Sequence, residues 1–136
     1  MVDINYWAVL SAAALYYASG TLWYSPFMFG KQWMQLVGMT PEMIESNKKN
    51  AWKAYLTALI ASLLMSYGVA RLVDYMHVTS FSGGIQMGFW SWVVFVITTM
   101  AINNAFSTRP VKLLLIDGGY HLYGLLLMGV INTVWT

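Results

Sequence analysis

The segment LLLIDGGYHLYGLLL, residues 113–127, carries an acid and, one helical turn later, a histidine inside a strongly apolar run. The run extends over about residues 111–135. That length suffices to cross a membrane, since a spanning helix needs about 20 mostly apolar residues. Ionisable side chains are costly in hydrocarbon, so Asp117 and His121 are expected to have either a structural partner or a function.

The composition of the whole chain also indicates a membrane protein. Of its 136 residues, 59% are hydrophobic and only 9% are charged, whereas soluble domains carry about 25% charged residues. The absence of cysteine excludes a disulfide framework and a thiolate metal site. A formal net charge of +2 does not indicate a nucleic-acid partner. The lipid bilayer is therefore the expected environment.

Four segments are long and apolar enough to span a bilayer. Pro26 and Pro110 flank the first and the fourth, where proline stops or starts a helix. Residues 82–84, Ser-Gly-Gly, are typical of a turn between the second and third. The sequence predicts an all-α, integral membrane four-helix bundle in a single domain of residues 1–136. The predicted spans cover about residues 4–24, 52–73, 85–106 and 111–135.

The basic residues predict the orientation of this bundle. By the positive-inside rule, the two loops that hold most of them face the cytoplasm and both chain termini face outward. The loop of residues 25–51 is then cytoplasmic. The basic residues on that side are Lys31, Lys48, Lys49, Lys53, Arg109 and Lys112, against Arg71 alone on the other.

The cytoplasmic loop is long enough to contain helices of its own. Its first part mixes apolar residues such as Trp33 with Lys31 and glutamines, a pattern that suits a short amphipathic helix in the headgroup region. Thr40 and Pro41 then read as the cap and first residue of a second short helix that leads into the second span. Membrane-surface contact is one interpretation of this loop, and docking of a cytoplasmic protein is the other.

Helical periodicity collects the polar residues of the spans on inward faces. On the fourth span, Asp117 and His121 share one face while Leu115 lies opposite, toward lipid. Asp117 lies near the cytoplasmic end of its span, level with the ends of the first and third spans. The candidate site therefore comprises Asp117, His121, Asn103, Asn104, Thr99, Trp23, Tyr24 and Ser25.

Structural roles compete with functional ones at these positions. Asp117 could pair with Lys112 or Arg109 at the interface, and His121 could serve as a hydrogen-bonding partner between helices. Asn103 and Asn104 could likewise join helices. One histidine and one aspartate supply only two ligands, so no metal site is predicted. No cofactor or catalytic signature motif is evident either.

The stretch GTLWYSPFMFGKQWMQLVGMTPEM, residues 20–43, resembles a family of small bacterial four-span membrane proteins, the domain-of-unknown-function family numbered 1761. The resemblance implies four spans in the bacterial inner membrane, and it implies no activity. It is carried by Gly20, Trp23, Tyr24, Ser25, Pro26, Phe29, Gly30 and Trp33, and by the turn at residues 38–41.

Three functional hypotheses remain open at this point. The first is an oligomeric transporter or channel for a small solute or ion, in which Asp117 and His121 respond to protons or cations. Because four short helices enclose little volume, such a pathway would form most readily between copies. The second is a non-catalytic accessory or lipid-binding subunit, with a membrane partner protein. The third is an intramembrane enzyme that uses Asp117 and His121 as acid and base.

Overall fold

The computed structural model describes residues 3–136 and contains five helices and no strand within them. The predicted all-helical class is confirmed. Met1 and Val2, which belong to the predicted domain, lie outside the described residues. A short 3-10 turn, Lys48–Asn50, interrupts the third helix, and a π-helical segment, Trp92–Ile97, lies within the fourth. The helices are α1 (Tyr6–Trp23), α2 (Gly30–Val37), α3 (Pro41–Tyr75), α4 (Phe81–Phe106) and α5 (Val111–Val134).

Three of these helices, α3, α4 and α5, are long and apolar enough to cross a membrane. The first helix is shorter, at 18 residues, and much of it consists of aromatic and small residues. Its 18 residues extend about 27 Å along the axis, close to the ~30 Å hydrocarbon thickness of a bilayer. The three long helices are compatible with a membrane protein, while the fourth span and the outward termini stay predictions.

The helices begin where the sequence offers caps. The Thr40 hydroxyl accepts a hydrogen bond from the Met43 backbone N–H at 3.2 Å, and Pro41 is the first helical residue, as expected. The predicted short helix after the first span is present as α2, although its location at a membrane surface stays a prediction.

The prediction of a turn at residues 82–84 is wrong, because these residues form the first turn of α4. The preceding residue Ser80 is the N-cap, and its hydroxyl accepts a hydrogen bond from the Gly83 N–H at 3.0 Å. His77, with φ 53°, lies in the loop that actually connects α3 to α4. Gly84 serves a helix contact instead of a turn.

That contact joins α4 to α5 almost backbone to backbone. A Cβ atom added to Gly84 would lie 2.7 Å from the Gly129 carbonyl oxygen, and one added to Gly88 would lie 2.5 Å from the Leu125 carbonyl oxygen. The four-residue spacing of Gly84 and Gly88 is the small-residue pattern that lets membrane helices approach closely. This interface anchors α5, which also contacts α1 and α3.

Packing is uneven along the bundle. The well-packed part of the bundle contains two buried hydrogen bonds. The Ser66 hydroxyl donates to the Val9 carbonyl at 2.9 Å, and the Asn132 amide donates to the Ser66 hydroxyl at 3.3 Å. In contrast, residues 52–61 of α3 are all exposed, and residues 98–106 of α4 include none that is buried. The core comprises Ala12, Tyr16, Val69, Val73, Met87, Tyr120, Leu125 and Met128.

Candidate functional site

Asp117 lies half-buried in the first half of α5 and is bound by a residue from α1. Tyr24, which ends α1, donates its phenolic hydrogen to Oδ1 of Asp117 at an oxygen–oxygen distance of 2.7 Å. This is the only side-chain hydrogen bond to the Asp117 carboxylate within residues 3–136. One oxygen of the acid is thus fixed by α1.

Two tryptophans hold the backbone on either side of Asp117. Trp23 of α1 donates its indole N–H to the Ile116 carbonyl at 3.1 Å, and Trp92 of α4 donates to the Gly118 carbonyl at 2.8 Å. The neighbouring glycine helps the indole to approach, since a Cβ at Gly119 would lie 3.3 Å from the Trp23 ring. Two different helices therefore position this segment of α5.

An open cleft of about 610 Å³ lies between the end of α4 and the start of α5, and Asp117 lines it. The predicted residues Asn103 and Asn104 line the same cleft, as does Arg109. The Asn104 amide donates to the carbonyls of Arg109 and Pro110, at 2.9 and 3.3 Å, and so secures the loop before α5. The structure thereby brings Tyr24, Asp117, Asn103 and Asn104 to one end of the bundle.

Asp117 is not ion-paired in this arrangement. Across the described part of the chain, the one ion pair joins Lys48 to Glu45 on the surface at 2.9 Å. The alternative in which Lys112 or Arg109 neutralises Asp117 by direct pairing is therefore not what the structure contains.

His121 lies one turn further along α5 and has a different partner. Its Nδ1 is hydrogen-bonded to the hydroxyl of Tyr16 at 2.6 Å. The Tyr16 ring stacks on Tyr120 with 4.6 Å between ring centroids, and Tyr120 donates to the Tyr16 backbone carbonyl. Among the described residues, Asp117 and His121 share no hydrogen bond, and each is hydrogen-bonded to a different tyrosine.

Two predicted site residues bond to their own helices. The Ser25 hydroxyl donates to the Leu22 carbonyl at 2.6 Å. Thr99 is exposed and donates to the carbonyls of Phe95 and Val96, at 2.7 and 2.9 Å. Thr99 does not line the cleft, although Asn103, one turn further along the same regular stretch of α4, does.

The predicted amphipathic helix touches the site through one residue. In α2, Lys31 is exposed, while Trp33 is half-buried and packs edge-on against the Tyr24 ring with 5.8 Å between centroids. Contacts therefore run without a break from Trp33 of α2 through Tyr24 to Asp117.

Sequence reasoning missed the specific roles of Tyr16, Trp92 and Arg109. Neither Tyr16 nor Trp92 was among the predicted site residues, and Arg109 was predicted only as an ion-pair partner. Over residues 3–136, no group of three His, Cys, Asp or Glu side chains is arranged to hold a metal ion.

Comparison with known proteins bears on the whole helical unit. The chain matches the family model described as "Protein of unknown function (DUF1761)" over residues 7–133, a range that includes every candidate site residue. No curated protein and no solved structure matches the chain. Because the matched range covers nearly the full sequence, the chain belongs to the DUF1761 family of proteins of unknown function.

Proposed function

We propose that the protein is a small carrier of the bacterial inner membrane that binds a cationic or proton-coupled solute at Asp117. It crosses the bilayer four times, through α1, the Ala51–Tyr75 part of α3, α4 and α5, with both termini outside. The basic residues Arg109 and Lys112 then lie on the cytoplasmic side, together with the cleft.

The observation that carries this proposal is the Asp117 carboxylate on the wall of an open cleft without a cationic partner among the described residues. An acid within a membrane helix is expensive unless it faces water or a partner, and such acids commonly bind ions or protons. Tyr24 supplies one hydrogen bond, which leaves the carboxylate able to interact with a ligand in the cleft.

The closed centre of the bundle favours a carrier over an open channel. Met128 of α5 and Ala12 of α1 are fully buried in the interior of the bundle. A second cavity of about 280 Å³ lies at the other end, where Asn132 and Asp74 line it. Two separate cavities with a packed centre suit a protein that opens to one side at a time.

Assembly from several copies forms part of the proposal. Residues 52–61 of α3 are all exposed and mostly apolar, and residues 98–106 of α4 include none that is buried. A second copy would cover these residues at the cleft end. A different membrane protein in that place would make the chain an accessory subunit, which is the alternative function.

The enzyme hypothesis receives less support from this geometry. A general acid and base that act as a unit must lie within hydrogen-bonding reach of each other or of a common substrate atom. Asp117 bonds to Tyr24 and His121 to Tyr16, so within the described chain the pair does not form such a unit.

Flux through purified protein in liposomes tests the proposal. Liposomes that contain a pH-sensitive dye are exposed to a panel of amines, amino acids and alkali cations, and internal pH is followed. Asp117→Asn should reduce any protein-dependent change to the level of protein-free liposomes, because the neutral amide cannot bind a proton or attract a cation.

Glu42→Gln is the matched control, since Glu42 is an exposed acid in the first turn of α3, away from the cleft. It should retain full flux. Equal flux in Asp117→Asn and the unmodified protein would contradict the proposal.

A further inference from the structure

The cleft that Asp117 lines also contains a positive charge. Arg109 lies on its wall, in the loop before α5, and the two side chains form no ion pair. Asp117 is six residues beyond Val111, the first residue of α5, which corresponds to about 9 Å along the helix axis. Opposite charges held apart in one cleft can each bind the opposite charge of a single ligand.

The positions of both charged residues are built into the fold. The Asn104 amide holds the carbonyls of Arg109 and Pro110, and Thr108 adopts a left-handed conformation with φ 54° in the same loop. Tyr24 holds Asp117 from the other side. The spacing between the carboxylate and the base of the arginine side chain is therefore set by hydrogen bonds rather than by a free loop.

The remaining wall of the cleft combines the polar side chains of Asn103, Asn104 and Ser107 with apolar ones. Met100, Phe106, Leu113 and Leu114 line it beside the charged residues. These side chains add nothing to the binding of a small hydrated ion, whereas they favour a hydrocarbon chain. The volume of about 610 Å³ lies within the ~300–1,000 Å³ typical of ligand sites.

We infer that the cleft binds a molecule that carries both an ammonium group and a phosphate, and that the ligand is a phospholipid with a zwitterionic headgroup. The ammonium group hydrogen-bonds to Asp117, and the Arg109 guanidinium binds the phosphate, for which its planar donors are suited. The acyl chains lie along the apolar side chains of the cleft. This inference rests on the proposed function, because it takes the ammonium group of the lipid as the cation that Asp117 binds.

Binding of defined lipids to the delipidated full-length protein tests this inference. Native mass spectrometry in detergent measures the dissociation constants of phosphatidylethanolamine and phosphatidylglycerol, which share the phosphate and differ in the amine. Phosphatidylethanolamine should bind about tenfold tighter or more, and Asp117→Asn should remove that preference. Arg109→Gln should weaken both lipids, because both carry the phosphate.

Two variants serve as controls for charge and folding. Lys112→Gln removes a neighbouring exposed basic residue that does not line the cleft, and it should leave binding unchanged. Asp117→Glu keeps the carboxylate and should retain the preference for the amine, which distinguishes lost chemistry from lost folding.

The outcomes separate the two sources of the ligand. Soluble phosphoethanolamine that binds as tightly as the lipid would assign the site to a soluble zwitterion and overturn the lipid assignment. Equal binding of the two lipids, or unchanged binding by both Asp117→Asn and Arg109→Gln, would overturn the inference entirely. If Asp117→Asn loses flux but keeps the preference for phosphatidylethanolamine, this inference alone is refuted. If Asp117→Asn loses that preference but keeps full flux, the proposed carrier function is refuted.

Discussion

Replacement of Gly88 by valine should destabilise the protein by at least about 3 kcal/mol, which is the upper range for overpacked sites. Any Cβ at this position would lie 2.5 Å from the Leu125 carbonyl oxygen and 2.9 Å from its carbon. Backbone atoms of α5 cannot move aside as a flexible side chain could, so the two helices must separate. Loss of helical circular dichroism during denaturant titration in detergent micelles measures the effect.

Gly68→Val is the matched control for this substitution. Gly68 lies in α3, and an added Cβ there would have no atom within 4 Å. Both variants carry the same change in helix propensity, so the difference between them reports the helix contact. Equal stability of Gly88→Val and Gly68→Val would contradict the close approach of α4 and α5.

Tyr16→Ala should destabilise the protein by about 3 kcal/mol, as expected for the removal of a large buried aromatic side chain. The Tyr16 ring is 4% exposed, stacks on Tyr120 and fills the space that Gly124 leaves open. Tyr16→Phe keeps the ring and should cost about 1 kcal/mol, because it removes only the hydrogen bond to His121. The same titration measures both variants.

An exposed tyrosine provides the comparison for these values. Tyr75 is 83% exposed at the end of α3, and Tyr75→Ala should change stability by less than about 0.5 kcal/mol. If Tyr16→Ala were no more destabilising than Tyr75→Ala, Tyr16 would not pack in the core as described.

The regular helices could be predicted well from the sequence, and the irregular ones could not. On α5, a constant turn per residue correctly placed Asp117 and Leu115 on different faces, since that helix is α-helical throughout. On α4, the same calculation assumed a regular α-helix and did not foresee the π-helical segment Trp92–Ile97. A local widening of this kind leaves no reliable mark in the sequence pattern.

The glycines show a second limit of sequence interpretation. Residues 82–84 were interpreted as a turn because glycine is common in turns, yet Ser80 caps the helix and Gly84 contacts α5. The four-residue spacing of Gly84 and Gly88 was the signal that could have indicated a helix contact.

The candidate site was predictable in its depth but not in its hydrogen bonds. The predicted depth of each residue along its span put Tyr24, Asn103 and Asp117 at the same end of the bundle. The structure also has them there. Which tyrosine binds Asp117 and which binds His121 depends on helix rotation and side-chain rotamers. Periodicity alone does not define these quantities to within a hydrogen-bond length.

The proposed carrier requires that Asp117 be accessible to water from the cytoplasmic side of the membrane. Because the natural chain contains no cysteine, single-cysteine variants give an unambiguous reading with a membrane-impermeant maleimide. In oriented membrane vesicles, Asp117→Cys and Asn103→Cys should react rapidly from the cytoplasmic side only, whereas Leu115→Cys, expected to face lipid, should react slowly from either side. Labelling of Asp117→Cys as slow as that of Leu115→Cys, or labelling from the outer side, would contradict the account.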